Sequence, residues 1–198
     1  MVAAEVQGDP RGVSAIWLPG VAERTGRTAE EWIAIVEASG PDPLDQKRVR
    51  DWLRDEHGVR QNTRWAIADV LARKHGWERP TVTGYTDGLY AGAKASLRPL
   101  HDAVVDLALG LGEDVEPQGR STYIPLVRAT QFAAVAPGPR GTLRVGLRYR
   151  DDGPEDPRVE PARNFAQASH WVHLPGDTDP AEATRLEPLL RRAYDQNG

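Results

Sequence analysis

The first part of the chain repeats apolar residues at helical spacing between clear start and stop signals. Thr28 is followed three residues later by Glu31, which is the pattern of a capping box. Trp32 and Ile33 then begin an apolar face that continues to a stop at Gly40. This pattern predicts a first helix that starts after Thr28 and ends before Gly40.

Two more helices are predicted in the same region. One runs from about Leu44 to His57, with Gly58 as its left-handed terminator, and the other begins at Asn62 or Thr63 as cap and reaches Gly76. A compact three-helix bundle is expected, with three tryptophans as its core: Trp32, Trp52 and Trp65.

Further along the chain the apolar spacing changes from helical to alternating. A long helix is predicted from Ser96 to Gly110, because apolar residues recur there at positions i, i+3, i+4 and i+7. Strands are predicted at about 115–119, 122–127, 130–136, 143–149 and 169–174. A C-terminal helix follows, beginning at Pro180 after Asp179 and running to about Tyr194.

These elements divide the chain into four parts. Residues 1–23 are a tail with one short apolar run, Val13 to Leu18, and residues 24–79 are the helical module. Residues 80–93, which contain three glycines, are expected to be a linker to an α+β module at 94–198. The predicted fold class is therefore α+β, with a helix, antiparallel sheet, helix order in the second module.

Composition narrows the range of functions. The chain has 198 residues and no cysteine, which excludes disulfides, thiolate nucleophiles and cysteine-ligated zinc. No apolar run reaches the roughly 20 residues that cross a bilayer, and no signal peptide is recognisable, so no membrane partner and a cytoplasmic location are expected.

Charge is unevenly distributed. The net charge is −4, yet six arginines and no acidic residue occur between Arg120 and Arg150. The alternation of the predicted strands places several of these arginines on one sheet face, where Arg144 and Arg148 share parity. Arginine and aromatic side chains together bind phosphates and stack on flat ligands. The alternative is that the acidic run at 151–156 and the acidic edge of the long helix neutralise these arginines.

The histidines are less informative. His57 and His75 are expected to interact with helix C-termini, and His101 is expected at the surface. His170 shares strand parity with Val172, so it faces the apolar interior as a core residue or lines a cavity. The candidate ligand-binding residues are Arg120, Tyr123, Gln131, Phe132, Arg144, Arg148, His170 and Trp171.

Other chemistries find little support. His170 and His173 lie three apart in a strand and point to opposite faces, so no metal site is predicted. No nucleotide-binding glycine motif precedes a helix, and no cofactor is implied. The basic residues of the predicted second helix, such as Arg50 and Arg54, are interleaved with aspartates and form an exposed, self-neutralised face.

Two stretches resemble known families. Residues 25–75, with Glu31-Trp32, Trp52-Leu53 and Glu56-His57-Gly58, resemble domain-of-unknown-function family 4287. Residues 87–196 resemble family 5655 through Arg120 with Tyr123, Gln131-Phe132-Ala133, Gly146-Leu147, His170 and Leu190 to Tyr194. Some members of that family are labelled predicted transport proteins, and the module also occurs fused to nuclease-like domains. An arginine usually follows the histidine in that family, whereas Trp171 stands here.

Two functions are consistent with these features. The first is a non-catalytic binding protein whose arginine-bearing sheet takes an anionic or flat aromatic ligand, or nucleic acid, with the helical module as an accessory. The second is a small-molecule pocket protein that sequesters or acts on a secondary metabolite, with His170, Trp171, Tyr123 and Gln131 around one cavity. His170 is the expected base if the protein is an enzyme, and a second copy of the chain is a further candidate partner.

Overall fold

A computed structural model describes residues 16–198 of the chain. The chain divides into two compact units, Met1–Arg79 and Pro80–Gly198. The apolar run at Val13 to Leu18 lies in part outside the described residues, and the backbone at Ile16 and Trp17 is helical.

The N-terminal unit is helical. Its helices are α1 (Val21–Thr25), α2 (Ala29–Ser39), α3 (Gln46–Asp55) and α4 (Gln61–Lys74). The predicted capping box is confirmed at α2, where Thr28 Oγ1 accepts a bond from the Glu31 N–H and the Glu31 carboxylate accepts one from the Thr28 N–H. Helix α1 is an addition, because no helix was predicted there; its first three residues fall within the predicted tail at 1–23.

The core of this unit is mainly aliphatic. Val49, Leu53 and Leu71 are fully buried, and Trp32 is 4% exposed. The expectation of three core tryptophans is wrong for Trp65, which is 44% exposed. The Arg50 guanidinium lies 4.3 Å from the centre of the Trp65 ring, so this tryptophan packs against a charged side chain on the surface.

The basic run on α3 is neutralised by its neighbours, as predicted. Lys47 pairs with Asp51 at 2.8 Å, and Arg54 pairs with Asp51 at 3.0 Å and with Asp55 at 2.6 Å. These pairs are exposed and screened by solvent, so they add little to stability, and together they leave no continuous positive stripe along this face of α3.

The C-terminal unit begins earlier than expected. Residues 80–93 are not a linker, since Val82–Leu89 form helix α5 and a 3-10 turn follows at Gly92–Leu97. Thr81 caps α5 by accepting a bond from the Gly84 N–H, and Leu89 is buried in the core of the second unit. Helix α6 then spans Arg98–Leu109.

Six antiparallel strands form one sheet in the order β1-β2-β3-β4-β6-β5. The strands are β1 (Glu116–Pro117), β2 (Ile124–Val127), β3 (Gln131–Pro137), β4 (Thr142–Leu147), β5 (Glu160–Pro161) and β6 (His170–Pro175). A 3-10 segment at Pro180–Leu186 and helix α7 (Glu187–Asp195) complete the unit. The fold is α+β, with helices around an antiparallel sheet.

The two faces of the sheet have different surroundings. One face, which we call the core face, carries Val135, Val145 and Val172 in register, and these residues pack with side chains of α6 and α7. The opposite face, called here the open face, carries Ala134, Gly146 and Trp171 in register, and its side chains belong to the candidate site. No helix of the described residues is long and apolar enough to cross a membrane.

Candidate ligand-binding site

Arg144 is at the centre of the open face. It lies on β4, with Ala136 opposite it on β3 and His173 opposite it on β6. Its guanidinium lies 5.0 Å from the ring centre of Phe165 and 5.0 Å from that of Trp171. The Arg144 Nε–H also donates to Nε2 of His173 at 3.1 Å. Two aromatic contacts and one hydrogen bond therefore fix the orientation of this side chain.

Phe165 reaches the sheet from the loop at 162–169, which joins β5 to β6. A side chain at Gly146 would place its Cβ 2.8 Å from the Phe165 ring and 2.9 Å from Cβ of Ala168, so the glycine permits this close approach. Three residues of the loop other than glycine have left-handed backbone conformations, with φ values of 53° at Asn164, 48° at Ala166 and 61° at Gln167. Such backbone costs energy and is retained where the surroundings impose it.

Other strands add side chains to the same cluster. The Tyr123 ring, just before β2, meets the Phe165 ring edge-on at 5.8 Å between centres. Gln131 on β3 donates its side-chain amide to the carbonyl of Ala166. The Trp171 indole N–H donates to the Glu160 carboxylate at 3.3 Å. Residues just before β2 and on β3, β4, β5 and β6 thus lie on one surface with Phe165 of the 162–169 loop.

The charge of Arg144 is not compensated by an acid. No carboxylate lies within ion-pair distance of it anywhere in residues 16–198. The acidic loop instead pairs with arginines outside the sheet, since Asp151 binds Arg192 at 2.8 Å and Asp156 binds Arg158 at 2.7 Å. Full neutralisation of the sheet arginines, the alternative raised by the sequence, therefore does not hold for Arg144.

His173 accepts the Arg144 hydrogen bond in its neutral form. Burial lowers the pKa of the His173 imidazole, and the nearby charge of Arg144 lowers this pKa further. The neutral ring offers a lone pair at Nε2, which accepts the Arg144 N–H without charge repulsion.

The arginines of the 120–150 stretch do not all gather at this cluster. Arg128 pairs with Asp114 at 2.7 Å, and Arg150 bonds to side-chain oxygens of Thr130 and Asn197. Arg120 is exposed in the segment before β2. Arg148 lies directly after the end of β4, four residues beyond Arg144. Its backbone N–H donates to the Phe132 carbonyl at 2.8 Å.

Phe132 was predicted at the ligand surface, and the structure shows that this is wrong. Leu126 pairs with Ala133 and Val127 pairs with Gln131, so Phe132 is the extra residue of a β-bulge. The bulge turns its side chain into the core, where it is fully buried and its ring meets that of Tyr194 at 5.7 Å.

His170 faces the core side of the sheet, as its parity predicted. Its ring lies 5.4 Å from the Tyr149 ring, and Nδ1 lies 3.1 Å from the Ser169 hydroxyl. Trp171, Tyr123 and Gln131 belong to the opposite face, so the single cavity expected around these four residues is not formed. Among the described residues, no group of three or more acidic or histidine side chains is placed to hold a metal ion.

Three other histidines differ from expectation. His101, expected at the surface, is 2% exposed and lies 4.6 Å from the Tyr90 ring. His75 pairs through Nε2 with Glu37 at 2.8 Å, and the His57 ring lies between the rings of Trp32 and Trp52. The side chains of these last two therefore meet groups other than the final carbonyls of a helix.

Sequence reasoning missed Phe165 and the role of His173. His173 could have been found, because it shares parity with Trp171 and so with the open face. Phe165 carries no such signal, since it lies in an irregular loop whose path is not encoded in any periodic pattern.

Residues 86–197 match the family model of DUF5655, a domain of unknown function. This match spans every strand of the sheet, the 162–169 loop and more than half of the chain. The chain belongs to the DUF5655 family. No curated protein and no solved structure gives a significant match. The candidate site lies entirely within the DUF5655 region.

Proposed function

We propose that this protein is a non-catalytic binding protein whose DUF5655 region takes a ligand that is both planar and anionic, such as a nucleotide unit. The observation that carries the proposal is the position of Arg144 between Phe165 and Trp171, without a carboxylate partner among the described residues. The ligand would place a negative group on the guanidinium and a flat ring beside the aromatic side chains.

The expected affinity rests on two kinds of contact. A charge-assisted hydrogen bond contributes about 1.5–3 kcal/mol, and stacking of a base on an aromatic side chain contributes about 1–3 kcal/mol. Arg144 is already held by His173 and two rings, so little side-chain entropy is lost when a ligand binds. The left-handed backbone of the 162–169 loop is consistent with a functional surface that is maintained at some cost.

A binding role is favoured over catalysis by the state of the histidines. His173 uses Nε2 to accept from Arg144, and His170 lies on the core side of the sheet beside Tyr149. The pocket hypothesis loses its main support, because its four residues lie on two faces of the sheet.

We further propose a cytoplasmic location and an accessory role for residues 25–75, which resemble family 4287.

The test is a fluorescence-anisotropy titration of a single-stranded oligonucleotide at two salt concentrations, beside a titration of nucleoside monophosphates followed by tryptophan emission. Oligonucleotide binding that weakens steeply with salt would assign the site to a nucleic-acid backbone. Monophosphate binding with little salt dependence would assign it to a free nucleotide.

Arg144→Ala is the decisive variant. It should weaken binding about tenfold to a hundredfold, which corresponds to about 1.4–2.8 kcal/mol. Arg185→Ala is the matched control, because Arg185 is 70% exposed in the same unit and pairs with Glu182. Equal affinity of the two variants, or binding of neither probe to the unmodified protein, would refute the proposal.

A further inference from the structure

A second cationic site lies in the N-terminal unit. A cavity of about 380 Å³ is lined by two short segments, Arg24 to Trp32 and His57 to Thr63. Its lining includes Arg24, Arg27 and Arg60, and no carboxylate among the described residues lines it. Three arginines therefore line one cavity in a chain whose net charge is −4.

The wall of the cavity is built by short polar contacts. The Trp32 indole N–H donates to Oγ1 of Thr25 at 2.9 Å, and the Thr25 hydroxyl donates to the Val21 carbonyl at 2.8 Å. The Arg27 guanidinium lies 5.4 Å from the centre of the Trp32 ring. The wall is therefore ordered before any ligand arrives, which reduces the entropic cost of binding.

The three arginines differ in how firmly they are held. Arg24 donates to the carbonyls of Trp17 and Pro19 and lies 3.4 Å from Oγ1 of Thr63, so it has a structural share. The guanidinium groups of Arg27 and Arg60 are exposed and lack a carboxylate partner within residues 16–198. These two side chains are therefore available to an anion.

The backbone at the cavity also favours an anion. Arg60 is the N-cap residue of the 14-residue helix α4, and no side chain caps the helix. The first-turn N–H groups thus remain without a capping side chain beside the arginines. These uncapped N–H groups favour a bound anion, as the arginines of the lining do.

We propose that this cavity binds the phosphate group of a small phosphorylated molecule. Arginine forms paired, charge-assisted hydrogen bonds with phosphate oxygens, and a volume near 380 Å³ is within the range of small-molecule sites. This site is in the other unit of the chain and does not depend on the function proposed for the DUF5655 region.

The experiment is a calorimetric titration of the full chain with inorganic phosphate, with glucose 6-phosphate and with glucose, at constant ionic strength. Both phosphates should bind with one site per chain, and glucose should not. The double variant Arg27→Gln/Arg60→Gln should weaken phosphate binding at least tenfold, while its melting temperature without ligand stays unchanged. Arg48→Gln is the control, since Arg48 is 78% exposed on α3 and should leave affinity unchanged.

Two results would overturn the proposal. The first is the same phosphate affinity in the double variant as in the control. The second is binding of an oligonucleotide to this unit, lost in the double variant, with no binding of either small phosphate. Tryptophan emission gives an independent readout, because Trp32 lines the cavity and its environment should change when phosphate enters.

Discussion

The buried histidine of α6 makes stability depend on pH. His101 is 2% exposed, its Nδ1 has no hydrogen-bond partner within the described chain, and the adjacent Tyr90 hydroxyl is likewise without one. Burial lowers the pKa of His101 to about 4, from an ordinary value of about 6.5. At pH 5 the imidazole is therefore still largely neutral in the folded protein, whereas it is largely charged in the unfolded chain.

The direction and size of the effect follow from proton linkage. Because the unfolded state binds the proton more tightly, the free energy of unfolding is highest above about pH 6.5 and falls as the pH drops toward 4. At about 1.4 kcal/mol per pKa unit, the loss is about 2 kcal/mol by pH 5 and about 3 kcal/mol by pH 4. Carboxylates with a depressed pKa, such as Asp156 at about 2, also stabilise the fold, and this contribution is lost only as the pH falls from the ordinary value of 3.8 toward 2.

The assay is calorimetric unfolding of the full chain and of His101→Leu at pH values from 7.5 to 4.5, following the transition of the C-terminal unit. Leucine is similar in volume and cannot take a proton, so its profile should be flatter by about 2 kcal/mol between pH 7 and pH 5. Parallel profiles of the two proteins in that interval would show that His101 is not the buried neutral base described here. His75→Gln, which changes a half-exposed histidine, is the control.

Three further changes have defined outcomes. Gly146→Val should displace Phe165, lower stability by about 1–3 kcal/mol and abolish binding at the open face; unchanged near-ultraviolet circular dichroism and unchanged affinity would contradict this. Phe132→Ala should cost about 3–5 kcal/mol in chemical denaturation, because the side chain is fully buried, and a cost under about 1 kcal/mol would place it at the surface. Thr28→Ala should lower the stability of the N-terminal unit by about 1 kcal/mol, whereas Thr28→Ser should retain most of it.

Local signals predicted most of the fold. The capping box at Thr28 and the alternation along β4 depend only on neighbouring residues, and both are confirmed. Helix α5 was missed because Gly84 and Gly88 lower helix propensity and are typical of a linker. Tertiary packing outweighs that preference, since Leu89 is buried in the core of the second unit.

The candidate site was predicted only in part. Parity brought Arg144 and Trp171 to one face correctly, because the period of a regular strand is fixed. A bulge breaks that period, and one inserted residue was enough to move Phe132 from the predicted surface into the core. Phe165 comes from a loop, so its place beside Arg144 depends on contacts between residues distant in sequence.

The edges of the sheet bear on how copies of this chain can associate. Both edge strands, β1 and β5, are two residues long and have the same sequence, glutamate followed by proline. Proline has no N–H to donate to a neighbouring strand, and a carboxylate resists the approach of another sheet. The two-residue strands β1 and β5 are thus each too short and too poor in donors to template a growing β-ladder. Joining two sheets through β1 or β5 is therefore disfavoured as a route to a dimer of this protein.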